Sequence, residues 1–232
     1  MNNPSLTFVI PAYNEQGNLD LAIANVHRIV DGLVDDYEII IVDDASQDET
    51  FAIAQQKAKE DKRIRCMTND RNRGFGYSYK RGVAASQKDH IAALSADNDV
   101  AWESLRDLVG HIGQADVLTS YMINTGDREW PRRVISKMFV ALINAMFGLR
   151  LKYFNGPFII RRELLQALNI RSNGLAVVAE CKVKLIKQGH SFKEIPFTHK
   201  PRQKGRSTAL SIKSLKAVTS AVYWLYRDIY WQ

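Results

Sequence analysis

The 232-residue chain predicts an α/β protein built on a doubly wound, mostly parallel sheet with helices on both faces. Three observations carry that expectation. Short apolar runs rich in Ile, Val and Ala alternate with helix-period segments through the first half of the chain. Three of those runs are followed at once by polar and acidic residues: Asn14-Glu15, Asp43-Asp44, and Asp97 with Asp99. In sheets of this kind ligands bind outside the carboxyl ends of the strands, so the three clusters are expected on one edge. Finally, 46% apolar and 25% charged residues are ordinary for a globular protein, and the length allows a sizeable core.

Taken in order, residues 6–11 read as a buried strand, followed by the loop Ala12-Tyr13-Asn14-Glu15 and a helix over 18–30. Residues 37–42 (Tyr-Glu-Ile-Ile-Ile-Val) form a second strand. Ser46-Gln47-Asp48-Glu49 has the pattern of a capping box and opens a helix to about residue 60. A third strand spans 64–67, and Asn72-Arg73-Gly74-Phe75-Gly76 leads into a helix ending near 86. Its glycines are expected to permit close helix–sheet packing, because the segment lacks both dinucleotide-loop and Walker spacing. Strands over 91–94 and 116–120 flank a helix at 102–111. Beyond them, 132–147 carries a broad apolar stripe at helical period, 158–160 and 192–197 look like strands, and 175–188 like a helix. A last amphipathic helix starts near 211 and is dense in Tyr and Trp.

Charge is divided more sharply than the net +7 suggests. Residues 1–99 carry 11 Lys/Arg against 16 Asp/Glu, whereas 100–232 carry 21 against 9. An acidic half suited to a metal ion thus precedes a basic half suited to phosphates or an anionic surface. Two distant cysteines, Cys66 and Cys181, make neither a metal nor a disulfide spacing and fit a reducing cytoplasmic setting. No signal-peptide pattern is visible at the amino end, and the apolar run 138–149 is too short to span a bilayer. Nucleic acid is not an expected partner, since no recognition motif or interleaving of aromatic with basic residues is present.

Asp97 and Asp99, one residue apart after a strand, can present two hard oxygen ligands to Mg²⁺ or Mn²⁺, which would bridge nucleotide phosphates; Asp-x-Asp is also ordinary turn chemistry. Three segments in order decide between these. Ile10-Pro11-Ala12-Tyr13-Asn14-Glu15, Ile41-Val42-Asp43-Asp44-Ala45-Ser46-Gln47-Asp48-Glu49-Thr50 and Ser95-Ala96-Asp97-Asn98-Asp99 together resemble the family 2 glycosyltransferases of GT-A fold. Within these the chain is most similar to dolichyl/polyprenyl-phosphate sugar synthases, through Trp130-Pro131-Arg132-Arg133, Asn155-Gly156, Arg161-Arg162, Glu180, Ile195-Pro196-Phe197, Arg202 and Gly205-Arg206-Ser207.

The resemblance implies a GT-A domain over 1–208, with a nucleotide-binding half (1–120), an acceptor half (121–208), and a separate amphipathic helix over 209–232. It implies that Pro11, Ala12, Tyr13, Glu15, Ser95, Ala96 and Asp97 line the nucleotide sugar, with Asp43 or Asp44 reading base and ribose. Asp97 and Asp99 would hold the metal. Arg132 and Arg202, with Arg133, Arg206 and Ser207, would hold the donor diphosphate or acceptor phosphate, so that Asp97, Asp99, Arg132 and Arg202 form the catalytic set. The chain departs from the family pattern at Ser95, Asp99, Tyr121 and Thr208, where Asp, Gln, Arg and Lys are usual.

The implied activity is an inverting, metal-dependent transfer of sugar from a nucleoside diphosphate to a polyprenyl phosphate, at the cytoplasmic face of a membrane the protein touches peripherally. Homodimerisation, or pairing with a membrane protein, is compatible with the aromatic final helix. Two alternatives stand beside it: a hydroxyl acceptor on a growing glycan, for which Glu180 is the one candidate base, and a non-catalytic nucleotide-sugar binder.

Overall fold

Side-chain direction alternates along the first strand as a period of two requires, and every position is buried. In the computed structural model, which describes residues 4–127, 130–200 and 212–231 (with the side chains of 127, 132 and 212–218 outside that description), β1 spans Ser5–Ala12. Its Leu6, Phe8 and Ile10 enter one core and Val9 the other. β2 (Asp36–Asp43) repeats the pattern, with Ile39 and Ile41 on one face and Ile40 and Val42 on the other. A strand buried on both faces must be apolar at nearly every position, which explains the unbroken Ile-Ile-Ile-Val run.

The chain continues through α1 (Leu19–Val30), α2 (Thr50–Glu60), β3 (Ile64–Thr68), α3 (Phe75–Ala85), β4 (His90–Ala93), α4 (Trp102–Val109) and β5 (Val117–Met122). After a 3₁₀ turn come α5 (Trp130–Phe147), β6 (Phe158–Arg161), α6 (Arg162–Ala167), α7 (Ala176–Lys187), β7 (Phe192–Phe197) and α8 (Ile212–Tyr230). The seven strands are ordered β3-β2-β1-β4-β6-β5-β7. All pairings are parallel except those of β6, which runs antiparallel to both β4 and β5.

Helices α1 and α4 cover one face of the sheet, while α3, α6 and α7 cover the other. A third cluster joins α5, α7 and α8 through Ile143, Phe147, Leu151, Phe154, Val183 and Leu225. Each fully buried Leu, Ile or Phe in these clusters contributes about 1.5–3 kcal/mol through removal of apolar surface from water.

Three expectations need correction. α6 was not anticipated, because a six-residue helix shows too little periodicity to register. The Ser46–Glu49 segment does not cap α2 as a box. Glu49 occupies the N-cap position without a side-chain bond, and Asp48 accepts the Thr50 N–H at 3.0 Å instead. The glycines at 74 and 76 do not serve helix–sheet packing; Gly82 does, since a Cβ there would lie 2.3 Å from Cγ1 of Val9. Gly76 lies under the backbone of 172–174, where a Cβ would meet carbonyl oxygens at 2.7 and 2.8 Å.

Candidate active site

Parallel register brings the three polar clusters to one edge. Ala12 pairs with Asp43, and Val9 pairs with Ala93, so the residues that follow leave the sheet side by side. The Asp44 N–H donates to the Ala12 carbonyl at 2.8 Å and the Leu94 N–H to the Val9 carbonyl at 3.0 Å, extending both ladders to the rim. Pro11 and Ala12 are buried in the rim and Tyr13 is exposed beyond it. Ser95, Asp97 and Asp99 are half-buried, with Ala96 buried between the first two.

At that rim three non-glycine residues adopt the left-handed conformation: Asn14 (φ 56°), Ala45 (φ 59°) and Asn98 (φ 54°). One follows each of β1, β2 and β4. Such residues persist where surrounding bonds over-determine them, and they gather at functional sites. Here the bonds are explicit. The Asn14 N–H donates to the Ser46 hydroxyl at 3.0 Å, the Gln47 N–H to the Asn14 side-chain oxygen at 2.8 Å, and the Glu15 N–H to the Thr50 hydroxyl at 2.8 Å. The loops after β1 and β2 are therefore stitched to each other. Glu15 also accepts from the Asn18 amide at 2.7 Å. Burial alone would raise the Asp48 carboxyl, but hydrogen bonds from Thr50 and the Gln16 N–H outweigh it and hold the group below its ordinary range.

Asn98 is the pivot of the Asp-Asn-Asp turn. Its amide donates to the carbonyls of Asn18 at 3.1 Å and Ala96 at 3.0 Å and accepts from Asn25 at 3.0 Å. With the middle side chain tied to α1, the Asp97 and Asp99 backbone is fixed on either side of it.

The two acids after β2 have different surroundings. Asp44 is buried and accepts the N–H groups of Arg73 (2.9 Å) and Gly74 (2.7 Å) and the Asn69 amide (2.6 Å), fastening the 69–74 loop. Asp43, also buried, accepts from the Thr68 hydroxyl at 2.8 Å and makes only long contacts of 3.3 Å with the Ser46 N–H. Asp43 thus keeps more acceptor capacity for a ligand than Asp44.

A residue missed in the sequence sits across the same rim. β7 runs parallel to β5, so its carboxyl end also arrives here, and His199 lies two residues past it. The His199 N–H donates to Asn124 at 2.9 Å, and Asn124 returns a bond to the His199 carbonyl at 2.8 Å. Its Nε2 lies 3.8 Å from Oδ2 of Asp99. The available signal was the parallel strand at 192–197, which sends its following loop to the ligand edge.

Asp97 and Asp99 carry the hard carboxylate oxygens that Mg²⁺ or Mn²⁺ prefers. Among the described residues no three His, Cys, Asp or Glu side chains close into a cage.

On the acceptor side, Arg133 is exposed on α5, while the Arg132 side chain and all of Arg202, Arg206 and Ser207 lie outside the described residues. Tyr121, near the end of β5, carries the Lys152 ammonium 4.1 Å from its ring centroid, so a cation stands near the position where the family usually has Arg. Glu180 lies on α7. It is buried, accepts the N–H groups of Arg171 and Ser172 at 2.9 Å and pairs with Lys184 at 2.8 Å. Burial would raise its carboxyl, but these bonds reverse the shift and hold it low. The N–H groups at the start of α3 are likewise occupied: Gly76 and Tyr77 donate to the Asn173 carbonyl at 2.7 and 3.2 Å, leaving no anion cradle. A cleft of about 460 Å³ at the amino edge of the sheet has its guanidinium Arg161 paired with Asp116 and Glu163.

Comparison with known proteins agrees with this fold. The profile described as glycosyl transferase family 2 matches residues 7–168. A dolichol-phosphate mannosyltransferase of Pyrococcus furiosus is 26% identical over 98% of the chain, which spans only 64% of that relative's length. A polyprenol monophosphomannose synthase of Mycolicibacterium smegmatis is 27% identical, covering 93% of this chain and 85% of the relative. Among solved structures, glucosyl-3-phosphoglycerate synthase of Mycobacterium tuberculosis, in complex with Mn²⁺, UDP and phosphoglyceric acid, superposes with a TM-score of 0.74 at 18% identity. The match covers 96% of this chain and 78% of that one, a likeness that establishes the GT-A fold. With the profile spanning most of the sheet and every strand-end cluster, the chain belongs to glycosyltransferase family 2.

Proposed function

We propose that the protein transfers a sugar, with inversion, from a nucleoside diphosphate donor to a polyprenyl phosphate at the cytoplasmic face of a membrane. The observation that carries this reading is the single sheet edge at which Asp43, Asp97, Asp99 and His199 emerge, with the Lys152 ammonium over Tyr121 near the end of β5. Residues 1–120 serve as the donor half and 121–208 as the acceptor half. Pro11, Ala12, Tyr13, Ser95 and Ala96 line the nucleotide, and Asp43 accepts from its base or ribose.

Asp97, Asp99 and His199 would hold Mg²⁺ or Mn²⁺, whose charge stabilises the departing diphosphate when bound. An acceptor phosphate is already anionic at neutral pH and needs no strong base to attack the sugar. It needs positive charge around two approaching anions, and preorganised cations provide this without reorganisation. Arg132, Arg133, Arg202, Arg206 and Ser207 fill that role, with Lys152 beside Tyr121 as an additional cation. A hydroxyl acceptor would require a base, and Glu180 is committed to two N–H groups and Lys184, which favours the phosphate.

The test is incubation with Mn²⁺, a panel of UDP-, GDP-, CDP- and dTDP-sugars and undecaprenyl phosphate. A glycolipid product, lost on chelation and in Asp97→Asn, is expected. Donor turnover onto free glycan hydroxyls but never onto the lipid phosphate would overturn the acceptor assignment.

A further inference from the structure

Resting on the lipid-phosphate reading, we propose that the outer face of α5 seats on the headgroup region of an anionic bilayer. The apolar stripe of this helix is two stripes. Phe139, Val140, Ile143, Met146 and Phe147 turn into the cluster shared with α7 and α8. Trp130 (68% exposed), Val134, Ile135, Met138 (66%) and Leu142 do not, and all five are exposed. At 100° per residue, Trp130, Pro131, Val134, Ile135, Met138, Ala141, Leu142 and Ala145 fill an arc of roughly 140° that contains no charged residue. All eight are exposed. A contiguous exposed apolar face of this kind marks a docking surface, whereas scattered exposed residues do not.

Charge identifies the occupant. α5 contains Arg132, Arg133 and Lys137 and no acid. Lys137 and Arg133, both exposed, border one side of the arc, at the level where cations meet lipid phosphates when the apolar face dips below them. A second copy of the same helix would set these cations against each other with no carboxylate on α5 to pair them, so charge disfavours self-association. Among the described residues no helix is long and apolar enough to cross a membrane, so contact through this face is interfacial. Placement gives the contact a purpose. α5 follows β5, whose carboxyl end lies at the Asp97 edge, so docking α5 brings that rim to the surface from which a lipid phosphate projects.

The experiment is flotation with vesicles of phosphatidylglycerol and phosphatidylcholine, against vesicles of phosphatidylcholine alone, using the full chain and the Met138→Glu/Leu142→Glu double variant. The wild type should float with anionic vesicles, weaken about fivefold in Lys137→Gln, and lose at least tenfold in the double variant. Both sites are exposed, so the thermal melt should not move. Turnover on a short isoprenyl phosphate free in solution should stay within twofold of wild type in the double variant while turnover on the long-chain lipid in vesicles falls. Equal flotation of wild type and double variant would overturn the α5 assignment. So would a wild-type dimer that ignores vesicles and becomes monomeric in the variant. If α5-dependent flotation is seen but no sugar reaches either lipid, the acceptor reading fails while the docking face stands.

Discussion

Replacing Lys182 with Met should abolish one specific pH dependence of stability. Lys182 on α7 is 0% exposed, and its ammonium donates to the carbonyls of Phe154 at 3.0 Å and Gly156 at 2.9 Å, 5.3 Å from the Phe158 ring. Burial, opposed only weakly by Cys181 and Glu194, pushes its pKa down from 10.5 to about 7. The sign follows from proton counting. Between pH 7 and 10.5 the unfolded chain holds this proton and the folded chain does not, so stability rises with pH; below 7 both hold it and the contribution is flat. Each pH unit in the window is worth about 1.4 kcal/mol, so wild type should gain about 2–3 kcal/mol between pH 6 and 9 that Lys182→Met does not. Met keeps the chain volume but leaves two buried carbonyls without their donor, a loss of about 1–3 kcal/mol at any pH. Urea melts of both proteins at pH 6, 7.5 and 9 isolate the term, because all other titrations cancel in the difference. Stability curves that run parallel within about 0.5 kcal/mol, the scatter expected between independent sites, would refute the reasoning.

Three further outcomes are expected. Gly76→Ala should lower stability by about 1–3 kcal/mol in a thermal melt, since its Cβ would press on backbone oxygens of Gly174 and Ser172, while Gly126→Ala, with open space around it, should be neutral. Ala45→Gly should raise the urea midpoint by the equivalent of about 1 kcal/mol by relieving a left-handed alanine, at the risk of loosening nucleotide binding. Asp44→Asn should destabilise by about 2 kcal/mol, because an amide cannot accept from Asn69, Arg73 and Gly74 at once, and circular dichroism melts will read the change.

The sequence disclosed the shared edge of the candidate site where placement is local. Strand ends carrying Asn14-Glu15, Asp43-Asp44 and Asp97/Asp99 were legible because parallel strands flanked by helices leave one edge for ligands. His199 was not, since its placement depends on β7 joining β5 through a register no local pattern records. The antiparallel direction of β6 was hidden for the same reason: four apolar residues look alike in either direction. The choice between Asp43 and Asp44 needed three hydrogen bonds from a loop 25 to 30 residues away. The stripe on α5 gave its helix correctly, but periodicity cannot say which half of a wide apolar surface finds a core.

The reversed strand also bears on how the chain assembles. β3, β2, β1 and β4 form a parallel block, β5 and β7 form another, and among the described residues Phe158–Arg161 is the one strand laddered between them. Until those four residues arrive, β4 and β5 each present an unpaired edge, the feature through which nascent sheets recruit foreign strands and aggregate. A proline at Ile159, paired with both Ala92 and Leu118, would leave both blocks with sticky margins. The joining of the two blocks therefore rests on a keystone shorter than any other strand but β4, its equal in length.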